Sequence, residues 1–121
     1  MKHCDILILE DEAIIAMDIE TTLEAAGHDN IAVCSTVDEA MAQIEKSTPK
    51  LALLDFNLGN GGTSVPVAER LSKCSVPFIF LSGYTESTVA IPEDISAAAR
   101  LAKPFQSAEL ITRVQSVLNG S

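Results

Sequence analysis

Four short runs of uninterrupted apolar residues constrain this chain more than any other feature: Ile6–Leu9, Ile31–Cys34, Leu51–Leu54 and Phe78–Leu81. Each has the length of a strand. None alternates with polar residues, so each predicts a strand buried on both faces. Such strands belong to parallel sheets covered by helices on either side. A shorter fifth run, Leu101-Ala102, precedes Lys103-Pro104.

Helical patterns fill the gaps. Ile15, Ile19, Leu23 and Ala26 recur on one face, and Gly27 supplies a stop. Thr36 and Glu39 have the spacing of a capping box ahead of Val37, Ala40, Met41 and Ile44. Ser64, with Pro66 in the first turn, predicts the start of a third helix through Ala68 and Leu71. Leu110, Val114, Val117 and Leu118 mark the last helix, before Asn119-Gly120. Residues 84–99 fit least well, because Pro92 would break or kink a helix there. One short helix or two fragments are expected.

Five βα units in 121 residues predict a single α/β domain. Its core is an open, five-stranded parallel sheet with helices on both faces. A chain this short suits the flavodoxin-like strand order 2-1-3-4-5. The chain ends with its last helix, so one domain over residues 1–121 with no output domain is expected.

No run of 18 apolar residues predicts a membrane span. The N-terminus enters a strand directly instead of a signal peptide, so a cytoplasmic location is expected. The net charge of −9 argues against nucleic-acid binding, which needs basic surface, and permits a cation site. Cys4, Cys34 and Cys74 are odd in number and form no C-x-x-C pair. Three reduced, mostly buried thiols are expected. His3 and His28 stand apart from any ligand partner and read as structural or surface residues.

Ligands of such sheets bind beyond the carboxyl ends of the strands, near the switch in strand order. Strand one ends in Glu10-Asp11-Glu12, strand three in Asp55-Phe56-Asn57, strand four in Ser82-Gly83 and strand five in Lys103-Pro104. In the order 2-1-3-4-5 these four ends converge on one rim. Two like charges about 4 Å apart repel by about 4 kcal/mol at an effective dielectric near 20. Either a carboxyl pKa rises or a cation binds. Mg²⁺ accepts one or two carboxylates together with water and phosphate oxygens. A lysine and a hydroxyl on the same rim add donors for an anion. The combination describes a site for Mg²⁺ and a phosphoryl group.

The segments ILILEDE, LALLDFNL, FIFLSGY and LAKPF occur in the order and at roughly the spacing of receiver domains of two-component response regulators. The chain resembles that family over its whole length. FIFLSGY is similar to a relaxed form of the Phe-Ala-Thr-Gly motif of some alphaproteobacterial regulators. The resemblance implies that Asp55 is the phosphoacceptor, a carboxylate nucleophile forming an acyl phosphate. It implies that Glu10 and Asp11 hold Mg²⁺ with Asp55 and the Asn57 backbone carbonyl. Lys103 would pair with Asp55 and then with phosphoryl oxygens, and Ser82 would hydrogen-bond the phosphoryl group. Glu12 reads as a solvated helix start. Gly59-Asn60-Gly61-Gly62 lacks the Gly-Lys-Ser/Thr of a phosphate-cradling loop and reads as a flexible loop beside the site. Tyr84 is placed either to tune access to the phosphoryl group or to pack.

The family implies a histidine kinase or histidine phosphotransfer protein as donor, an unspecified downstream protein, a monomer, and no catalysis beyond the domain's own phosphorylation and dephosphorylation. The chain departs from the family's common pattern at Arg100, where many receivers carry an aromatic ring that moves inward on activation. A buried, unpaired guanidinium is too costly for that role. A shift of residues 84–99 is the expected substitute. Two other functions compete. A binding module independent of phosphorylation is disfavoured by intact Asp55, Asp11 and Lys103. A phosphatase of the haloacid dehalogenase type would carry Asp-x-Asp after strand one, whereas the aspartate here follows strand three.

Overall fold

A computed structural model of the chain describes residues 5–56, 58, 62–82, 99–102 and 105–118, and of residues 82, 99, 100 and 102 the backbone alone. The elements run β1 (Ile6–Leu9), α1 (Ala13–Ala25), β2 (Ile31–Cys34), α2 (Val37–Lys46), β3 (Leu51–Asp55), α3 (Val65–Lys73), β4 (Phe78–Ser82), β5 (Ala99–Ala102) and α4 (Ser107–Leu118). All strand pairs are parallel, in the order β2-β1-β3-β4-β5. The expected flavodoxin-like sheet is therefore present. Strands three and four each run one residue further than their apolar runs, to Asp55 and Ser82. The ladder continues there, with Asp55 opposite Leu81 and the Phe56 N–H donating to the Leu81 carbonyl at 2.9 Å. β5 begins two residues earlier than expected, at Ala99.

Successive strand residues point to opposite faces, and here each face meets helices. Leu7, Leu9, Ala52, Leu54, Phe78 and Phe80 pack with Ala40 and Ile44 of α2 and with Val67, Ala68 and Leu71 of α3. Ile6, Ile8, Leu51, Leu53, Ile79, Leu81 and Leu101 pack with Ile19 and Leu23 of α1 and with Leu110 and Val114 of α4. This explains the apolar runs Ile6–Leu9, Leu51–Leu54 and Phe78–Leu81, which are buried throughout. Fully burying one such leucine or isoleucine contributes roughly 1.5–3 kcal/mol. The run Ile31–Cys34 departs from expectation, because β2 is an edge strand and Val33 is exposed.

The helix ends follow their local chemistry. After α1, the Gly27 N–H donates to the Glu24 carbonyl and the His28 N–H to that of Leu23, both at 3.0 Å, with Gly27 at φ 104°. This is a Schellman stop, which glycine adopts without a Cβ penalty. At α2 the Glu39 N–H donates to Thr36 Oγ1 at 3.1 Å as expected. The Glu39 carboxylate accepts the Ser35 N–H at 2.8 Å, one residue outside the helix cap. At α3 the structure departs from expectation: Ser64 stands at the cap position, yet its side chain makes no capping bond.

Two further expectations meet the structure. Cys34 is buried, but Cys74 is exposed, because it lies at the C-terminal end of α3 away from the Val67, Ala68 and Leu71 stripe. His28 is half-buried, with Nε2 sealed from solvent and without a partner among the described residues. His3, Cys4, Gly83, Tyr84 and Pro92 lie outside the described residues, as do Gly59, Asn60 and Gly61.

Candidate functional site

The parallel register levels the strand ends. Leu9 pairs with Leu54, so the next residues, Glu10 and Asp55, sit side by side on neighbouring strands. Strands in a sheet are about 4.8 Å apart, so two carboxylates here cannot avoid one another. Both are buried, at 1% and 3% exposure, while Asp11 is exposed beside them. Carboxylate oxygens from Glu10, Asp11 and Asp55 all lie within 4.8 Å of one another.

Local bonds hold the cluster in place. The Glu10 N–H donates to the Cys34 carbonyl at 3.0 Å, fixing the end of β1 against β2. A Glu10 carboxylate oxygen accepts the Glu12 N–H at 3.1 Å, which turns the chain into α1. This second bond was not legible in the sequence, although a carboxylate two residues ahead of a helix start is the signal that suggests it. Glu12 itself is exposed, as a solvated helix start should be.

At 4.8 Å two unit charges repel by about 3 kcal/mol at an effective dielectric near 20. A small cation between the carboxylates turns that repulsion into attraction. The donor set is all oxygen, with one exposed and two buried carboxylates, and hard divalent cations such as Mg²⁺ prefer such a set. The exposed Asp11 leaves the site open to water and to an incoming group. An open cleft of about 700 Å³ adjoins Asp11 on the β2 side, walled by Ser35, Thr36, Asp38 and Leu58.

Of the other expected site residues, the Ser82 backbone stands at the end of β4, paired with Ala102. Ser82 thus lies one step beyond Leu81, the partner of Asp55. Lys103 follows Ala102 and lies outside the described residues, as does Asn57. Arg100 is placed by its backbone in β5, opposite Phe80. Among the described residues no helix is long and apolar enough to cross a membrane.

Comparison with known proteins identifies the fold and the family. The family model of the response regulator receiver domain matches residues 6–115. The phyllosphere-induced regulator PhyR of Methylorubrum extorquens is 37% identical over 116 residues, covering 94% of this chain and 43% of PhyR. The receiver domain of NtrX from Brucella abortus superposes with a TM-score of 0.85 at 26% identity, covering 97% of this chain and 100% of that one. SdrG from Sphingomonas melonis gives a TM-score of 0.77 at 33% identity, covering 97% of both chains. The chain spans about half the length of the curated relatives it matches. With the family model matched over most of its length and the receiver fold in place, this chain belongs to the response regulator receiver family of two-component systems.

Proposed function

We propose that this receiver accepts a phosphoryl group on Asp55 from a phosphohistidine of a sensor kinase or phosphotransfer protein. The observation that carries the reading is the convergence of Glu10, Asp11 and Asp55 within 4.8 Å at the ends of β1 and β3. In the transfer an Asp55 carboxylate oxygen forms a bond to phosphorus as the phosphorus–nitrogen bond of the donor breaks. The imidazole nitrogen keeps the electron pair and takes up a proton. Attack of water on the phosphorus later restores the carboxylate and releases phosphate. The domain thus turns over only its own modification.

Glu10, Asp11, Asp55 and the Asn57 carbonyl are the residues that would hold Mg²⁺, which when bound neutralises charge on the transferring oxygens. Lys103 would pair with Asp55 and then with the phosphoryl group, and Ser82 would hydrogen-bond it. The site is open at Asp11, where the donor's ring must approach. The likeness to PhyR and SdrG supports the Phe-Ala-Thr-Gly class of receiver. A cytoplasmic monomer that changes its affinity for a downstream protein completes the reading.

Mass spectrometry after incubation with a small phosphoryl donor and Mg²⁺ tests it. One added phosphoryl group, labile as an acyl phosphate and absent from Asp55→Asn, is expected. Full-yield modification of that variant would move the acceptor elsewhere, and a wild type that stays unmodified would favour a binding module that works without phosphorylation.

A further inference from the structure

Ser64 is fully buried, and among the described residues its Oγ has no hydrogen-bond partner. Buried hydroxyls are nearly always partnered, so an exception calls for a physical reason. Ser64 occupies the cap position of α3, where a serine side chain ordinarily accepts the N–H of the second or third helical residue. The second is Pro66, which has no N–H. Val67 is the remaining donor. The bond is unmade because of the backbone at Ser64, with φ −88° and ψ 7°. Thr36, which does cap its helix, has the extended values φ −133° and ψ 161°. In place of a Ser64 cap, the Val65 N–H donates to Thr63 Oγ1 across a long 3.4 Å. A rotation about the Ser64 ψ toward the extended region would give the hydroxyl its partner and α3 its cap.

Ser64 is tied to the acceptor. Its N–H donates to the carbonyl of Phe56, the residue after Asp55, at 3.1 Å. The Leu58 N–H donates to the Gly62 carbonyl at 3.0 Å inside the same loop. The phosphoacceptor and the start of α3 are therefore the two feet of one short, bonded connection.

We infer that Ser64 is a two-position cap: open in the free protein, and closed onto the Val67 N–H when the Asp55 site is loaded. This rests on the acceptor reading above. A ligand shifts such an equilibrium only by binding one state better. Closing the cap favours the loaded state, and the Thr63–Val65 bond favours the free one. Ser64 is a positioning residue in this scheme, because it acts on the site through Phe56.

The test compares wild type with Ser64→Ala and Thr63→Ala, using Mg²⁺ with beryllofluoride as the probe. Amide exchange at Val67 and probe affinity are both read. In the wild type, loading should slow Val67 exchange several-fold. Ser64→Ala should lose that slowing and bind about five-fold more weakly, the worth of one helix cap. Thr63→Ala should shift affinity the opposite way, which a purely structural role at Ser64 does not predict. The free Ser64→Ala protein should melt no lower than wild type, since it loses an unpartnered hydroxyl. Equal affinity in wild type and Ser64→Ala, or a lower melting temperature of the free variant, overturns the cap device alone. A wild type that binds no probe overturns the acceptor reading and the cap device with it.

Discussion

Glu10 and Asp55 stand level on adjacent parallel strands, each the first residue beyond the Leu9–Leu54 pair, and both are buried. The sheet that makes the fold stable thus brings two carboxylates together at its rim. Removing one of three converging negative charges in metal-free solution relieves repulsion that a single pairing of Lys103 with Asp55 would not cancel. Asp55→Asn should therefore be more stable than wild type without divalent cations, by roughly 1 kcal/mol. Mg²⁺ should raise the midpoint of wild-type urea unfolding and leave that of Asp55→Asn nearly unchanged. A variant less stable than wild type in metal-free buffer would contradict the electrostatic account.

Asp11 differs from its two neighbours in being exposed. Its loss leaves no cavity, so an effect on metal affinity reports ligation and not misfolding. Asp11→Ala should weaken Mg²⁺ binding by more than about tenfold, the least that loss of even an outer partner typically costs a metal site. Unfolding in metal-free buffer should change little. Calorimetric titration of the two proteins checks both points, and equal affinities would remove Asp11 from the ligand set.

The fold was legible because its central strands β1 and β3 are buried on both faces. Runs such as Leu51–Leu54 then carry no polar residue, and their ends can be read to within one residue. Glu10, Asp11 and Asp55 were legible for a related reason: charge directly after such a run must sit on a rim. What the sequence could not disclose depends on backbone angles and side-chain reach. Ser64 has the right type and place for a cap, and only its ψ of 7° shows the bond unmade. Glu39 has capping-box spacing, yet its carboxylate reaches Ser35. Cys74 looked like a core thiol by type, but its position at the end of α3 turns it to solvent.

Ser75 follows α3 in the left-handed region, at φ 61°. The Val76 N–H donates to the Leu71 carbonyl at 2.9 Å and the Ser75 N–H to that of Ser72 at 3.1 Å, the same stop that Gly27 makes after α1. A residue with a Cβ is disfavoured there by roughly 1–2 kcal/mol. Glycine removes that strain and adds freedom to the unfolded chain. Ser75→Gly should on balance stabilise the domain by about 0.5 kcal/mol. Urea unfolding would show a higher midpoint at unchanged slope, and a lower midpoint would mean that the hydroxyl is needed.

Glu39 links α2 to the acidity of the solution. Its carboxylate accepts the Ser35 N–H at 2.8 Å and the Ser35 hydroxyl at 3.1 Å. The Ser35 backbone bond, then that hydroxyl, hold the Glu39 carboxyl below its ordinary value of 4.5, against a smaller opposing effect of desolvation. The charged form is thus favoured by folding. Its contribution is complete above the unfolded pKa and fades as pH falls through the lower folded one. Glu39→Gln keeps the shape of the side chain and removes the charge. The variant should be slightly less stable than wild type near neutral pH, and the gap should close as the solution is acidified below about pH 4.5. The same group is directly visible in a carboxyl-carbon NMR titration, where Glu39 should show a midpoint below that of glutamate in an unstructured peptide. A midpoint at or above the peptide value would mean that the Ser35 bonds do not persist in solution.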